Sequence, residues 1–192
     1  MNKIIKNTII LTLITVIAGL GLGYVYEITK DPIAQAQEAA KKEAWQAVFP
    51  EASLDDFAAA ELDYDLMTKV VADLGVVATV DEVCTVGDLG YVVTTTSKEG
   101  YGGDIQITVG VTVDGTVSGV SILSISETAG LGMKATEPAF YGQYQGKQTE
   151  NFYVSKDGGS GEPIEALSGA TITSRAVTGA VNTALAYVLN AF

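Results

Sequence analysis

The chain has 192 residues, 47% of them hydrophobic, with 11 basic and 23 acidic side chains for a net charge of −12, one cysteine and no histidine. That length gives room for one anchored domain with its own core. The residue inventory excludes an intramolecular disulfide, a four-cysteine iron–sulfur cluster, a histidine-bearing zinc site and a Ser-His-Asp triad, so redox chemistry in this chain needs an organic cofactor.

Asn7 through Tyr26 is uncharged and rich in Ile, Leu and Val, and about 20 apolar residues are what a bilayer helix requires. Lys3 and Lys6 precede it, so the positive-inside rule puts the N-terminus in the cytoplasm and the rest of the chain outside, with Tyr24 and Tyr26 at the far interface. A cleaved signal peptide shares the charged start and apolar run. Against it, the run is long for such a segment and its one small-x-small site, Ala34-Gln35-Ala36, lies beyond the charged Lys30 and Asp31. Cys84 is far from the apolar run, which rules out a lipoprotein anchor. From Asp31 onward eight basic residues face 22 acidic ones, a net charge of −14. This argues against nucleic acid or anionic lipid as a partner, and no carboxylate cluster has a metal-ligand spacing. Cys84 itself, in Val83-Cys84-Thr85-Val86, reads as a small apolar packing residue.

Pro32 to Phe49 carries Ile33, Ala36, Ala40, Ala44, Ala47 and Val48 at helical spacing and reads as a connecting helix stopped by Pro50. Residues 51–75 are acidic and irregular, with Leu54, Phe57, Leu62 and Leu66 as packing anchors. Tyr91 to Ser97 predicts a strand, Lys98 to Gly103 a Gly-rich turn, and Ile105, Ile107, Val109, Val111 and Val113 alternate as a strand with one buried face. Asp114-Gly115 predicts a two-residue hairpin turn leading to a partner strand from Val117 to Ser126. Glu127-Thr128-Ala129-Gly130-Leu131-Gly132 follows as a loop. Thr136-Glu137-Pro138 then starts a short helix through Tyr144 with Thr136 as cap. Phe152 to Ser155 predicts a further strand, and Asp157 to Glu162 a flexible Gly/Ser loop. Tyr141, Tyr144 and Tyr153 are candidates for stacking on a cofactor, or for the core.

The last element is a helix with Val177, Ala180, Val181, Ala184, Leu185 and Val188 on one face. Ser168-Gly169-Ala170-Thr171-Ile172-Thr173-Ser174-Arg175 stands at its entrance, placing small residues, hydroxyls and a cation where backbone N–H groups favour a phosphate. The same hydroxyls also suit ordinary helix capping. Strands and helices without regular alternation predict an α+β fold, a twisted antiparallel sheet with packed helices.

Glu165-Ala-Leu-Ser-Gly-Ala-Thr171 resembles the flavinylation motif Asp-x-x-(Ser/Thr)-Gly-Ala-Thr of the FMN-binding domains found in RnfG, a component of the Rnf electron transport complex, and in its counterpart in the sodium-pumping NADH:quinone reductase. Glu165 stands where the family has Asp. Glu127 to Gly132 is similar to the family's Glu-Thr-Pro-Gly-Leu-Gly, with Ala129 for Pro, and Gly100-Tyr101-Gly102-Gly103 matches a turn upstream. The apolar N-terminus followed by Thr29-Lys30-Asp31-Pro32-Ile33 also fits, and the whole resembles the Rnf component more than the longer quinone reductase one.

The resemblance implies FMN held covalently as a phosphoester of Thr171, attached by a separate flavin transferase using FAD. It places Ser168, Gly169, Ala170 and Thr173 around the phosphate and Tyr101, Gly102, Glu127, Thr128, Leu131 and Gly132 around the isoalloxazine, with Arg175 available to the phosphate charge. It implies no catalytic side chain and no metal, and it names the other membrane subunits of the Rnf complex as partners. The chain divides on this reading into residues 1–30, a cytoplasmic stub and transmembrane helix; 31–75, a connecting helix and acidic segment; and 76–192, the FMN-binding domain. The expected function is electron transfer within an ion-translocating ferredoxin:NAD oxidoreductase at the cell membrane. The alternatives are a free-standing extracytoplasmic flavin-dependent reductase and a non-catalytic anchored surface domain.

Overall fold

The computed structural model describes residues 2–192, which form two compact units, one up to Ala40 and one from Lys41 onward. A helix, α1 (Lys3–Val48), takes up the first unit and contributes its last turns to the second. The expected pair, an apolar helix and a separate connecting helix, gives way to one element with Pro32 inside it. Pro32 has no N–H, so one i→i−4 bond is missing there, but the i-to-i+4 pattern of small and apolar residues resumes at once. An 18-residue window of α1 has a mean hydropathy of 2.2 and buries none of its surface, long and apolar enough to cross a bilayer.

The second unit is built on an antiparallel sheet in simple chain order: β1 (Phe57–Ala59), β2 (Ala78–Val86), β3 (Gly90–Ser97), β4 (Ile105–Thr112) and β5 (Val117–Ser124). Ile105, Ile107, Val109 and Val111 are all buried in one cluster, as their alternation predicts. The hairpin after β4 differs from the predicted two-residue turn. Gly115 N–H donates to Thr112 O at 2.9 Å and Thr112 N–H to Thr116 O at 2.8 Å, so the loop is Val113-Asp114-Gly115 with Gly115 at φ +82°. Asp114 turns back to the Thr112 hydroxyl and the Thr116 N–H, which favours the three-residue form.

The acidic stretch expected to be irregular contains α2 (Tyr64–Leu74). Asp63 caps it through the N–H groups of Asp65 and Leu66, and Gly75 at φ +65° ends it. The short helix α3 (Pro138–Tyr141) has Pro138 in its first turn but is not capped by Thr136. The Thr136 hydroxyl donates to Met133 O at 2.9 Å, closing a preceding 3-10 turn instead. Strands β6 (Phe152–Val154) and β7 (Glu162–Ile164) form a small parallel pair.

Helix α4 (Thr171–Ala191) lies across β2, β3 and β4 and shares the main core with the sheet. Its Ala, Gly and Thr content permits close approach: Thr95 donates to Ala180 O at 3.1 Å, and a Cβ on Gly179 would lie 3.3 Å from Val76. Asn182 behaves as a strand partner for β6, accepting from Phe152 N–H at 2.9 Å and donating to Phe152 O at 2.8 Å. The opposite sheet face holds a second cluster of Val48, Phe49, Ala52, Cys84, Val86 and Val92. There Gly110 and Gly119, paired across β4 and β5, leave the notch that Val48 fills, since a Cβ on either would come within 3.0 or 3.1 Å of it. Burial pushes the Cys84 thiol up to about 11, so it stays a protonated packing residue.

Tyr144 joins the core rather than any cofactor face. Its ring meets Phe140 and Phe152 edge-on, and its hydroxyl lies 2.8 Å from Thr178 Oγ1, whose own proton goes to Ser174 O. Burial raises its pKa above the ordinary phenol value. A raised folded pKa means that this contribution is full below about pH 10 and is lost as pH rises further. Tyr144→Phe is expected to cost about 1 kcal/mol at neutral pH and to flatten the alkaline fall in stability, read from urea melts at neutral and alkaline pH.

Candidate functional site

Three loops meet at the end of the sheet where β3 and β5 finish and β4 begins. Between β3 and β4, the Gly100-Tyr101-Gly102-Gly103 turn lies directly on the segment after β5. Gly102 N–H donates to Glu127 Oε1 at 3.2 Å. A Cβ on Gly102 would sit 2.0 Å from the carbonyl oxygen of Ser126, so only glycine lets the two backbones come together. Glu127 is thereby fixed with 9% of its surface exposed.

The loop after β5 then turns tightly: Leu131 N–H and Met133 N–H both donate to Thr128 O, at 3.1 and 3.2 Å, with Gly130 at φ +76°. Gly132 brings this turn against Glu127 and α4. A Cβ at that position would lie 2.6 Å from both Glu127 Oε2 and Thr173 Oγ1.

The third segment is the entrance of α4. Gly169, at φ +74°, swings the chain into the helix, and Ala170 occupies the cap position with no side chain satisfying the first turn. Ala170 N–H is used by Leu167 O and Ser174 N–H by Ala170 O, both at 3.0 Å. The N–H groups of Thr171, Ile172 and Thr173 have no partner among the described residues. Ser174 is the hydroxyl that serves local structure, accepting from Leu167 N–H and donating to Ala170 O, each at 2.9 Å. The Thr171 hydroxyl makes no such bond. The capping alternative therefore holds for neither: Ser174 ties down the approach to the helix, and no side chain caps its first turn.

These segments enclose an open groove of about 620 Å³, within the range of small-molecule sites. Of the residues expected there, Tyr101, Glu127, Thr128, Leu131, Gly132, Gly169, Ala170, Thr171 and Thr173 line it. Tyr101, Leu131 and Ile172 are exposed apolar side chains at its rim, 72%, 43% and 48% accessible. Gly102 stands behind the wall, holding Glu127. Ser168 and Glu165 are exposed beside the groove without lining it. The backbone of Glu165 is clamped by Gln143, which accepts from its N–H at 2.7 Å and donates to its carbonyl at 3.3 Å. None of Tyr141, Tyr144 and Tyr153 is on the groove.

Arg175 departs from expectation. Its guanidinium forks onto Asp157, Nε donating to Oδ2 at 2.7 Å and Nη2 to Oδ1. The cation that does line the groove is Lys156, which sequence reasoning misses because it borders a stretch that reads as a flexible loop. It makes no ion pair among the described residues.

The matches to known relatives cover most of the chain. Residues 100–186 match the FMN-binding domain family and residues 1–48 the RnfG N-terminal region. The G component of the proton-translocating ferredoxin:NAD(+) oxidoreductase complex from Clostridium ljungdahlii is 35% identical over 97% of this chain and 92% of its own length. The G component of the Na(+)-translocating complex from Acetobacterium woodii is 32% identical over 93% and 88%. The crystal structure of NqrC from Shewanella oneidensis aligns with 54% of each chain at 30% identity and a TM-score of 0.43.

Proposed function

Because the chain belongs to the RnfG family of ion-translocating ferredoxin:NAD oxidoreductase complexes, we propose that it is the membrane-anchored flavoprotein subunit of such a complex, carrying FMN as a phosphoester of Thr171. The observation that carries the reading is the α4 entrance. An unused threonine hydroxyl stands there beside three N–H groups that no side chain caps, a setting suited to a phosphodiester joining FMN to the threonine and to its one remaining negative charge.

The groove fits FMN on its own chemistry. Thr171 Oγ1 takes the phosphate, the first turn of α4 faces the remaining phosphate charge, and Lys156 adds a cation to the groove as a whole. Glu127, Thr128, Leu131 and Tyr101 border the space for the ring system. Bound FMN supplies the electron chemistry, which no side chain of this chain offers. The residues around it fix its position, limit water on the buried side at Glu127 and Thr173, and leave an apolar rim toward an electron partner. Covalent attachment means that the groove keeps its cofactor while remaining open.

On this reading α1 spans the cell membrane once, with Lys3 and Lys6 in the cytoplasm and the domain outside. Its partners are the other membrane subunits of the complex and a flavin transferase that uses FAD. Expression of the full chain with such a transferase is expected to give an intact mass increased by one FMN ester, in-gel flavin fluorescence after denaturation, and localisation to the peptide holding Thr171. A colourless, unmodified chain beside an active control substrate would overturn the proposal in favour of a cofactor-free surface domain.

A further inference from the structure

We propose that the Asp157–Arg175 ion pair is a positioning device that holds Lys156 at the FMN groove, so that two residues outside the groove set the charge inside it. The inference rests on the functional reading above.

Lys156 and Asp157 leave β6 together. Strand β6 is seated on α4 by the two-way bond between Asn182 and Phe152, and Asp157 N–H donates to Val154 O at 2.8 Å, turning the chain sharply after the strand. Four residues after Thr171 on the same helix, Arg175 reaches this turn and grips Asp157 with both arms of its guanidinium. A bidentate fork fixes direction as well as distance. The neighbouring residue, Lys156, lines the groove that Thr171 also lines. Hydrogen bonding from Arg175 holds the Asp157 carboxyl below its ordinary range, and the pair with Asp157 raises Arg175. With a depressed folded pKa, the pair is intact above the ordinary carboxylate range and fails only as pH falls through the lowered value.

Asp157 and Arg175 are both partly open to water, and an exposed ion pair adds little stability. Its effect is therefore sought in where it puts Lys156. Two-electron reduction of an isoalloxazine with uptake of one proton adds one negative charge, and a fixed ammonium nearby favours that reduced form. Loss of Lys156 lowers the potential. Asp157→Asn separates positioning from plain electrostatics by sign: deleting a carboxylate that acts only through space raises the potential, whereas releasing Lys156 lowers it.

The test is a dithionite titration of the flavinylated full chain in detergent, with Lys156→Gln, Asp157→Asn, Arg175→Gln and the Lys156→Gln/Asp157→Asn double variant. Lys156→Gln is expected to reduce the equilibrium constant for flavin reduction about tenfold, about 30 mV for a two-electron couple. Asp157→Asn and Arg175→Gln should each lower it severalfold, Asp157→Glu should restore it, and Asp157→Asn should no longer lower it once Lys156 is gone. A potential unchanged or raised by Asp157→Asn in the loaded protein overturns the inference while leaving the functional reading standing. A wild-type chain that takes no flavin overturns both, and is seen before any variant is compared.

Discussion

Thr171→Ala is expected to abolish covalent flavin completely while leaving the melting curve within about 1 kcal/mol of wild type. Thr171 opens α4, where alanine is a good helix former, and its hydroxyl bonds to nothing else among the described residues, so its removal orphans no partner. Thr171→Ser keeps the nucleophilic oxygen and should retain part of the labelling. Mass spectrometry of the denatured protein reads the result directly. Flavin retained by Thr171→Ala would move the attachment to another hydroxyl. Of the two nearby, Thr173 is 1% exposed and pressed against the Gly132 backbone, which leaves Ser168 as the site to examine.

Gly102→Ala should be the most damaging single methyl in the groove wall. The added Cβ meets the Ser126 carbonyl oxygen at 2.0 Å, and both sides of that contact are backbone, so no side-chain rotation relieves it. Either the 100–103 turn lifts away or the strand end before Glu127 does. Both movements break the Gly102–Glu127 hydrogen bond. A loss of about 2–3 kcal/mol is expected, together with weaker flavinylation in a time course at fixed transferase. Tyr101→Ala, at an exposed neighbour, should leave stability within about 0.5 kcal/mol. Equal stability of Gly102→Ala and wild type would show that the turn is not seated on Glu127.

Strands β3, β4 and β5 are legible in the sequence because β4 alternates cleanly and only one register buries Ile105, Ile107, Val109 and Val111 together, whereas β1 and β2, at 57–59 and 78–86, are not anticipated. Helix α4 is legible from its periodic face, and the groove residues from the motifs at Gly100, Glu127 and Ser168. Features that depend on one side chain meeting distant backbone are not. Helix α2 escapes notice although Asp63 and Gly75 are ordinary start and stop signals, because its apolar positions Leu66, Met67 and Val70 stand among charges. Strand β7 is three residues long with Pro163 at its centre, a residue that argues against a strand. Arg175 does follow Thr171 on the helix, but Asp157, 18 residues earlier, claims it before any phosphate can. Lys156 enters the site only because β6 is pinned to Asn182, a contact across 30 residues that no local pattern announces.

The bare first turn of α4 would give the proposed attachment a thermodynamic signature. A helix whose leading amides lack a cap is less stable than it would be with an anion there, by about 0.3–1 kcal/mol for a surface charge and up to about 2 in a partly enclosed one. If FMN is attached at Thr171 as proposed, the phosphoester would do more than add a chromophore; it would complete a helix whose first turn no side chain caps. Newly made, unmodified chains would be the softer population, opening more often at the α4 entrance and more readily cut by proteases there.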